Sequence, residues 1–241
     1  MPSANATREE YLNTILDTID NFKAKTSKMS IFLILALDRG NTTATEAMEI
    51  IDLAITNKTR GIVGVDLCGN PTHGDVSLYG AAFARAKAHG LGLTLHFAET
   101  PTSGAPSELA TLLSFQPDRL GHVIHVADEV KQEIARRKLG LELCMSCNVH
   151  AKLIAGGFLD HHFGYWRHTA CPIALCVSYS CSCSCSCSGI LVCCVWDVLT
   201  HVCSRLMTWA FSVALSRMSI ALLRSLLGWD GLRCWAFVEM R

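Results

Sequence analysis

Gly90-Leu91-Gly92-Leu93-Thr94-Leu95-His96-Phe97-Ala98-Glu99 is the stretch on which the fold turns. A strand sends alternate side chains to opposite faces, so Gly92, Thr94 and His96 share one face while Leu91, Leu93 and Leu95 take the other. Small residues therefore line the way to a histidine. Glu99, three residues past His96, would point away from it on a continued strand. The two can meet only if the strand stops first, and the Pro101 to Pro106 loop is expected to stop it. Two readings stand at this point. One is a metal ligand followed by a proton-transfer carboxylate; the other is a hydrogen-bonded histidine followed by a solvated loop glutamate.

Upstream, Leu78 to His89 has helical apolar spacing with Gly90 as its stop, so the quoted strand follows a helix. The same helix-then-strand unit occurs twice before it. Tyr11, Leu12, Ile15, Leu16, Ile19 and Phe22 predict a helix, and Ile31 to Leu37 a buried strand ending at Asp38-Arg39-Gly40. Thr43 or Thr45 can cap a helix carrying Met48, Ile51 and Ile55, after which Gly61 to Leu67 is a strand closed by Cys68-Gly69-Asn70-Pro71. Downstream, Ser107 is expected to cap a helix reaching Phe115, with a strand over Arg119 to Ile124. Asp128 is expected to cap a helix stopped by Gly140, followed by strands over Leu141 to Ser146 and Pro172 to Cys176. Apolar strands alternating with helices at this spacing predict a parallel sheet covered by helices. Polar residues gather at the strands' C-terminal ends: Asp66 to Asn70, His96 with Glu99, Gly121-His122, and Ser146 to Asn148. In βα architectures that edge is where active sites are built.

The 241 residues suffice for one α/β domain of barrel size. Lysine plus arginine balance aspartate plus glutamate at 21 each, so no broad basic stripe suggests nucleic-acid binding, and a small molecule is the expected partner. Met1 to Glu10 is polar and unlike a secretory signal, which makes the cytoplasm the expected compartment and reduced cysteines the expected state. Of 13 cysteines, ten lie from Cys171 onward, so composition changes along the chain. Ser180 to Ser188 alternates serine and cysteine. Its Cys-x-Cys steps differ from the Cys-x2-4-Cys pairs of structural zinc sites and resemble a translated repeat. Residues 177–241 are expected to form a low-complexity, apolar tail outside the 1–176 domain. Asp197, Arg205, Arg217 and Arg224 interrupt its apolar stretches and argue against a membrane span.

Taken in order, Gly64-Val65-Asp66-Leu67-Cys68-Gly69-Asn70, Leu95-His96-Phe97-Ala98-Glu99, Asp118-Arg119-Leu120-Gly121-His122 and Cys144-Met145-Ser146-Cys147-Asn148-Val149 resemble the successive strand-end motifs of the adenosine deaminase family. The run Asp160-His161-His162-Phe163-Gly164-Tyr165-Trp166 resembles the adenosine deaminase-like branch, whose members deaminate N6-substituted AMP. The resemblance covers roughly residues 8 to 176. It implies an incomplete (β/α)8 TIM-type barrel of the metal-dependent hydrolase type, a purine nucleoside or nucleotide as substrate, and one zinc ion. It further implies that His96 is a zinc ligand and that Glu99 donates a proton to purine N1. His122 would orient or deprotonate the attacking water, and the Gly69 backbone N–H would hold the opposite edge of the ring. Two family motifs are missing. No His-x-His pair precedes the first strand, and the place of the family's Thr-Asp-Asp is taken by Val177-Ser178-Tyr179. By resemblance His96 is one ligand of a set that this sequence leaves incomplete. Lys152 and Arg167 could face a phosphate or be surface charges.

Overall fold

The structure, a computed structural model, describes residues 7–25, 29–175, 191–194 and 232–239. Helix α1 (Arg8–Lys25) leads into strand β1 (Met29–Asp38), and the chain then alternates α2 (Ala44–Thr56), β2 (Ile62–Cys68), α3 (Gly80–Ala88), β3 (Gly92–Phe97), α4 (Pro106–Ser114), β4 (Arg119–His122), α5 (Asp128–Arg137) and β5 (Gly140–Leu143). Two short helices, α6 (Met145–His150) and α7 (Phe163–Trp166), precede β6 (Ile173–Leu175). Strands β1 to β6 pair in sequence order, all parallel. They form the parallel, helix-covered sheet that the alternating pattern predicts, curled into the incomplete (β/α)8 barrel that the family resemblance implies. Beyond β1 the sheet continues with β8 (Leu232–Glu239), parallel to it, and β7 (Leu191–Cys194), antiparallel to β8. The serine–cysteine tract lies outside the described residues.

Parity explains the layering. Leu33, Leu35, Leu37, Val65, Leu67, Leu93, Leu95, Phe97, Leu120, Leu141 and Leu143 belong to one apolar core shared with Leu12 and Leu16 of α1, Ile50 and Ile51 of α2, and Phe83 of α3. The intervening residues Asp66, Thr94, His96, Arg119 and Glu142 line the concave face. Register sets Asp66 opposite Thr94, Thr94 opposite Arg119, and His96 opposite Gly121, which in turn faces Glu142. The concave lining of β2 to β5 is therefore polar, flanked by Ile34 and Ala36 of β1 and Ala174 of β6, and the convex one is apolar. A strand with one charged residue in an apolar run can sit here only if that residue faces the barrel axis.

Of the two caps the sequence offers for α2, Thr43 is the one used, while several other boundaries differ from the sequence expectation. Thr43 caps α2, its hydroxyl accepting from Glu46 N–H while the Glu46 side chain accepts from Thr43 N–H, a reciprocal capping box. Ser107 does not cap α4; Ala105 holds that place, with Pro106 supplying the fixed φ of a first helical turn. Asp128 is the first residue of α5 rather than its cap, which is Ala127, and the helix stops at Lys138 in left-handed conformation, leaving Gly140 to open β5. Strand β4 stops at His122 instead of Ile124, and β5 stops at Leu143, with Met145–His150 coiled as α6.

Candidate active site

The C-terminal ends of β2, β3 and β4 lie side by side, and local backbone turns aim their polar residues inward. Ala98 has φ of 51°, a left-handed conformation uncommon for a residue with a side chain, so β3 breaks one residue after Phe97. That break, three residues earlier than Pro101, brings Glu99 round to the side of His96. Strand β4 ends as sharply. His122 and Val123 have φ of 62° and 53°, and Val123 N–H donates to the Gly121 carbonyl, closing a γ-turn around His122. Ile124 N–H and His125 N–H both donate to the Ala98 carbonyl, locking the two strand ends together. Backbone strain concentrated at one cleft is characteristic of functional sites.

The side chains converge accordingly. The rings of His96 and His122 stand 5.4 Å apart between centroids, and His122 Nε2 is 3.7 Å from Glu99 Oε1. His96 Nδ1–H donates to Asp66 Oδ1 at 3.2 Å, while Oδ2, 3.0 Å from the same nitrogen, makes a charge contact without hydrogen-bond geometry. Such a carboxylate–histidine pair fixes the ring's orientation and directs Nε2 away from Asp66. Burial opposes protonation of His96, but the adjacent Asp66 carboxylate, aided by Glu99 and Glu142, overrides it and raises the ring to about 10. His122 moves the other way: burial lowers it, and a charged His96 lowers it further, against the pull of Glu99. Two neighbouring imidazoles are thus driven to opposite protonation states. Deeper in the barrel, Arg119 Nε sits 2.9 Å from Glu142 Oε1. Burial raises the Glu142 carboxyl, and Arg119 partly offsets that.

Gly69 follows β2 with φ of 98°, and a Cβ there would collide with the Asp38 carboxylate. That carboxylate cannot move aside, because it accepts from Gly40 N–H at 2.9 Å and from Asn41 Nδ2 at 2.6 Å. Glycine is required at this position by the backbone and its packing. Next to it, buried Arg39 donates to Glu108 through both terminal nitrogens, at 2.8 and 2.9 Å, and through Nε to the His73 carbonyl at 2.8 Å. This clamp holds the loop after Gly69 against α4. Lys152 and Arg167 are both exposed.

The structure thus brings His96, Glu99 and His122 together and places Gly69 on the neighbouring strand end. Sequence reasoning assigned no role to Asn148 or His161, which are buried and bonded to one another and to His122. It likewise missed Glu142. The available signal was a carboxylate inside the apolar run Gly140–Leu143. A catalytic zinc takes about three protein ligands and an open position. Among the described residues no group of three or more histidine, cysteine, aspartate or glutamate side chains is placed to hold an ion. The described residues therefore do not fit a complete zinc centre.

Comparison with known proteins agrees with this architecture. The adenosine deaminase family profile matches residues 1–157. The N6-mAMP deaminase of Arabidopsis thaliana is 35% identical over 150 residues, covering 62% of this chain and 41% of that protein. N6-Methyl-AMP deaminase-L of Xenopus laevis is 29% identical over 177 residues, covering 72% of this chain and 50% of that protein. A crystal structure of Arabidopsis ADAL complexed with GMP superposes with a TM-score of 0.66 at 28% identity, over 73% of this chain and 52% of that one. The chain spans about half the length of the curated relatives it matches. With the strand-end motifs, the barrel and the profile in agreement, the chain belongs to the adenosine deaminase family, and its similarity runs to the adenosine deaminase-like branch.

Proposed function

We propose that this chain takes a purine nucleoside monophosphate of the N6-substituted AMP type into the cleft above β2, β3 and β4. Its described residues supply the ring-holding and proton-handling side of a hydrolytic deaminase site. The observation that carries this reading is the convergence of Glu99 and His122, 3.7 Å apart, beside an Asp66-oriented His96. Water adding to C6 leaves negative charge on the purine, and a carboxyl group that delivers its proton to N1 neutralises it. Glu99 is the carboxyl assigned to that transfer. His122 orients the attacking water, and the Gly69 N–H holds the opposite edge of the ring. The GMP complex of the Arabidopsis relative supports a nucleotide as the ligand. His96 is the residue assigned to zinc, the family's metal by resemblance. Because the described residues do not complete that centre, turnover is not assigned to them alone.

Isothermal titration of the purified chain with IMP and with N6-methyl-AMP tests the proposal. Saturable binding is expected, weakened about tenfold or more in Glu99→Gln, the scale of one hydrogen bond to a charged group. Failure of both nucleotides to bind overturns the ring-holding role. Release of methylamine from N6-methyl-AMP by a 7–175 fragment that carries stoichiometric zinc and unfolds cooperatively overturns the claim that the centre is incomplete.

A further inference from the structure

Beneath the cleft, the run His161-His162-Phe163 does more than mark a branch. His122 Nδ1 lies 2.9 Å from one end of the Asn148 amide, and the other end lies 3.0 Å from His161 Nε2. All three residues are buried, Asn148 completely. The Phe163 backbone N–H, in the first turn of α7, donates to His161 Nδ1 at 3.0 Å. A backbone N–H cannot reverse its role, so this bond is a fixed input to the whole chain of contacts. His161 Nδ1 must be the bare, accepting nitrogen.

Counting protons along the chain settles the rest. His161 is a neutral ring, since burial lowers it to about 4, and a neutral imidazole carries one N–H. With Nδ1 accepting, that N–H is on Nε2 and points at Asn148. The amide must then present its carbonyl oxygen to His161 and its NH2 to His122. The opposite orientation would leave His161 accepting at both nitrogens, which no neutral ring can do. His122 Nδ1 is consequently an acceptor, and its own proton lies on Nε2. His162 holds the same residue from its other side, its Nε2–H donating to the His122 carbonyl at 2.6 Å, with its ring stacked on His161 at 4.1 Å.

We propose that Asn148 and His161 are positioning residues that lock His122 in the Nε2–H tautomer, so that it presents a hydrogen-bond donor, not a lone pair, to the cleft. His122 Nε2–H faces Glu99 and any oxygen bound between them. It can orient a water by donating to it or to the carboxylate, but it cannot take a proton at Nε2 without Asn148 turning over against His161. This excludes the water-deprotonating role that the family resemblance left open for His122. The tautomer rests on the internal network; only what His122 faces depends on the deaminase reading. The two therefore fail separately.

The test is long-range 1H–15N correlation NMR on 15N-labelled full-length chain above neutral pH without nucleotide, His122 being assigned by the signals lost in His122→Gln. The expected spectrum has pyrrole-type Nε2 and pyridine-type Nδ1 for both His122 and His161. A pyrrole-type Nδ1 on His122 overturns the proposal outright. In Asn148→Asp the carboxylate can only accept, so the His122 proton is expected to move to Nδ1; retention on Nε2 would show that Asn148 does not set the tautomer. His161→Phe removes the donor that orients the amide and is expected to produce a mixture of the two His122 forms, with an unchanged spectrum counting against His161. The wild-type spectrum decides the tautomer even if neither variant folds.

Discussion

Replacing Glu108 with alanine should cost the fold about 3 kcal/mol. Arg39 is 5% exposed and Glu108 19%, and the guanidinium makes two charge-assisted bonds to the carboxylate. Removing one partner of a buried pair leaves the other charge uncompensated, which typically costs about 3–5 kcal/mol. The partial exposure of Glu108 lets water reach the orphaned guanidinium, so the lower end applies. For a domain of this size about 2–4 °C of Tm accompanies each kcal/mol, giving a fall of roughly 6–12 °C. Urea unfolding followed by circular dichroism, with an unchanged slope, measures the loss directly. Glu108→Gln, which keeps an acceptor and drops the charge, should lose less. As a control, Asp52→Ala at the exposed Arg85–Asp52 pair should change stability by no more than about 0.5 kcal/mol. A Glu108→Ala loss below about 1 kcal/mol would refute the view that this clamp holds the loop after Gly69.

Gly69→Ala combines a positive φ with a collision against the anchored Asp38 carboxylate, and should destabilise by about 2 kcal/mol in the same urea assay while weakening nucleotide binding. Thr43→Ala removes a reciprocal capping box and should lose about 1 kcal/mol. Stability should also fall on acidification through His161. The ring is held neutral to about 4 in the fold against 6.5 unfolded, so the unfolded chain binds the proton first. Its contribution is complete above 6.5 and is lost as pH falls toward 4. At about 1.4 kcal/mol per unit this amounts to about 3 kcal/mol, and a His161→Phe variant should show a correspondingly flatter stability–pH curve between those limits.

The parallel βα layering was legible because its determinants are local and periodic, whereas its curling into a barrel was implied only by the ordered strand-end motifs. Leu91, Leu93 and Leu95 announce a buried strand face, and Gly90 announces the turn before it. What the sequence concealed were backbone departures with no residue signature. Ala98, His122 and Val123 take left-handed conformations although none is glycine, because the tie between the Ala98 carbonyl and the 124–125 amides imposes them from outside the strands. The same applies to α6, where a predicted strand end coils instead and delivers Asn148 to His122. His96, Glu99, His122 and Gly69 could be singled out by residue type at strand ends. Asn148 was visible as a polar residue after a predicted strand, but its role and that of His161 were not, since they depend on β4 meeting segments 26 and about 40 residues later, the second fixed at the His162 contact. Asp66 was visible as part of a polar strand end, but its partnership with His96 emerges only from the register of β2 and β3.

A crystal structure of the chain soaked with IMP tests the central claim most directly. The purine is expected over the ends of β2, β3 and β4, with ring N1 within hydrogen-bonding distance of Glu99 and the opposite ring edge on the Gly69 N–H. Density for the base elsewhere, or in that cleft with Glu99 turned away from the ring, would contradict it.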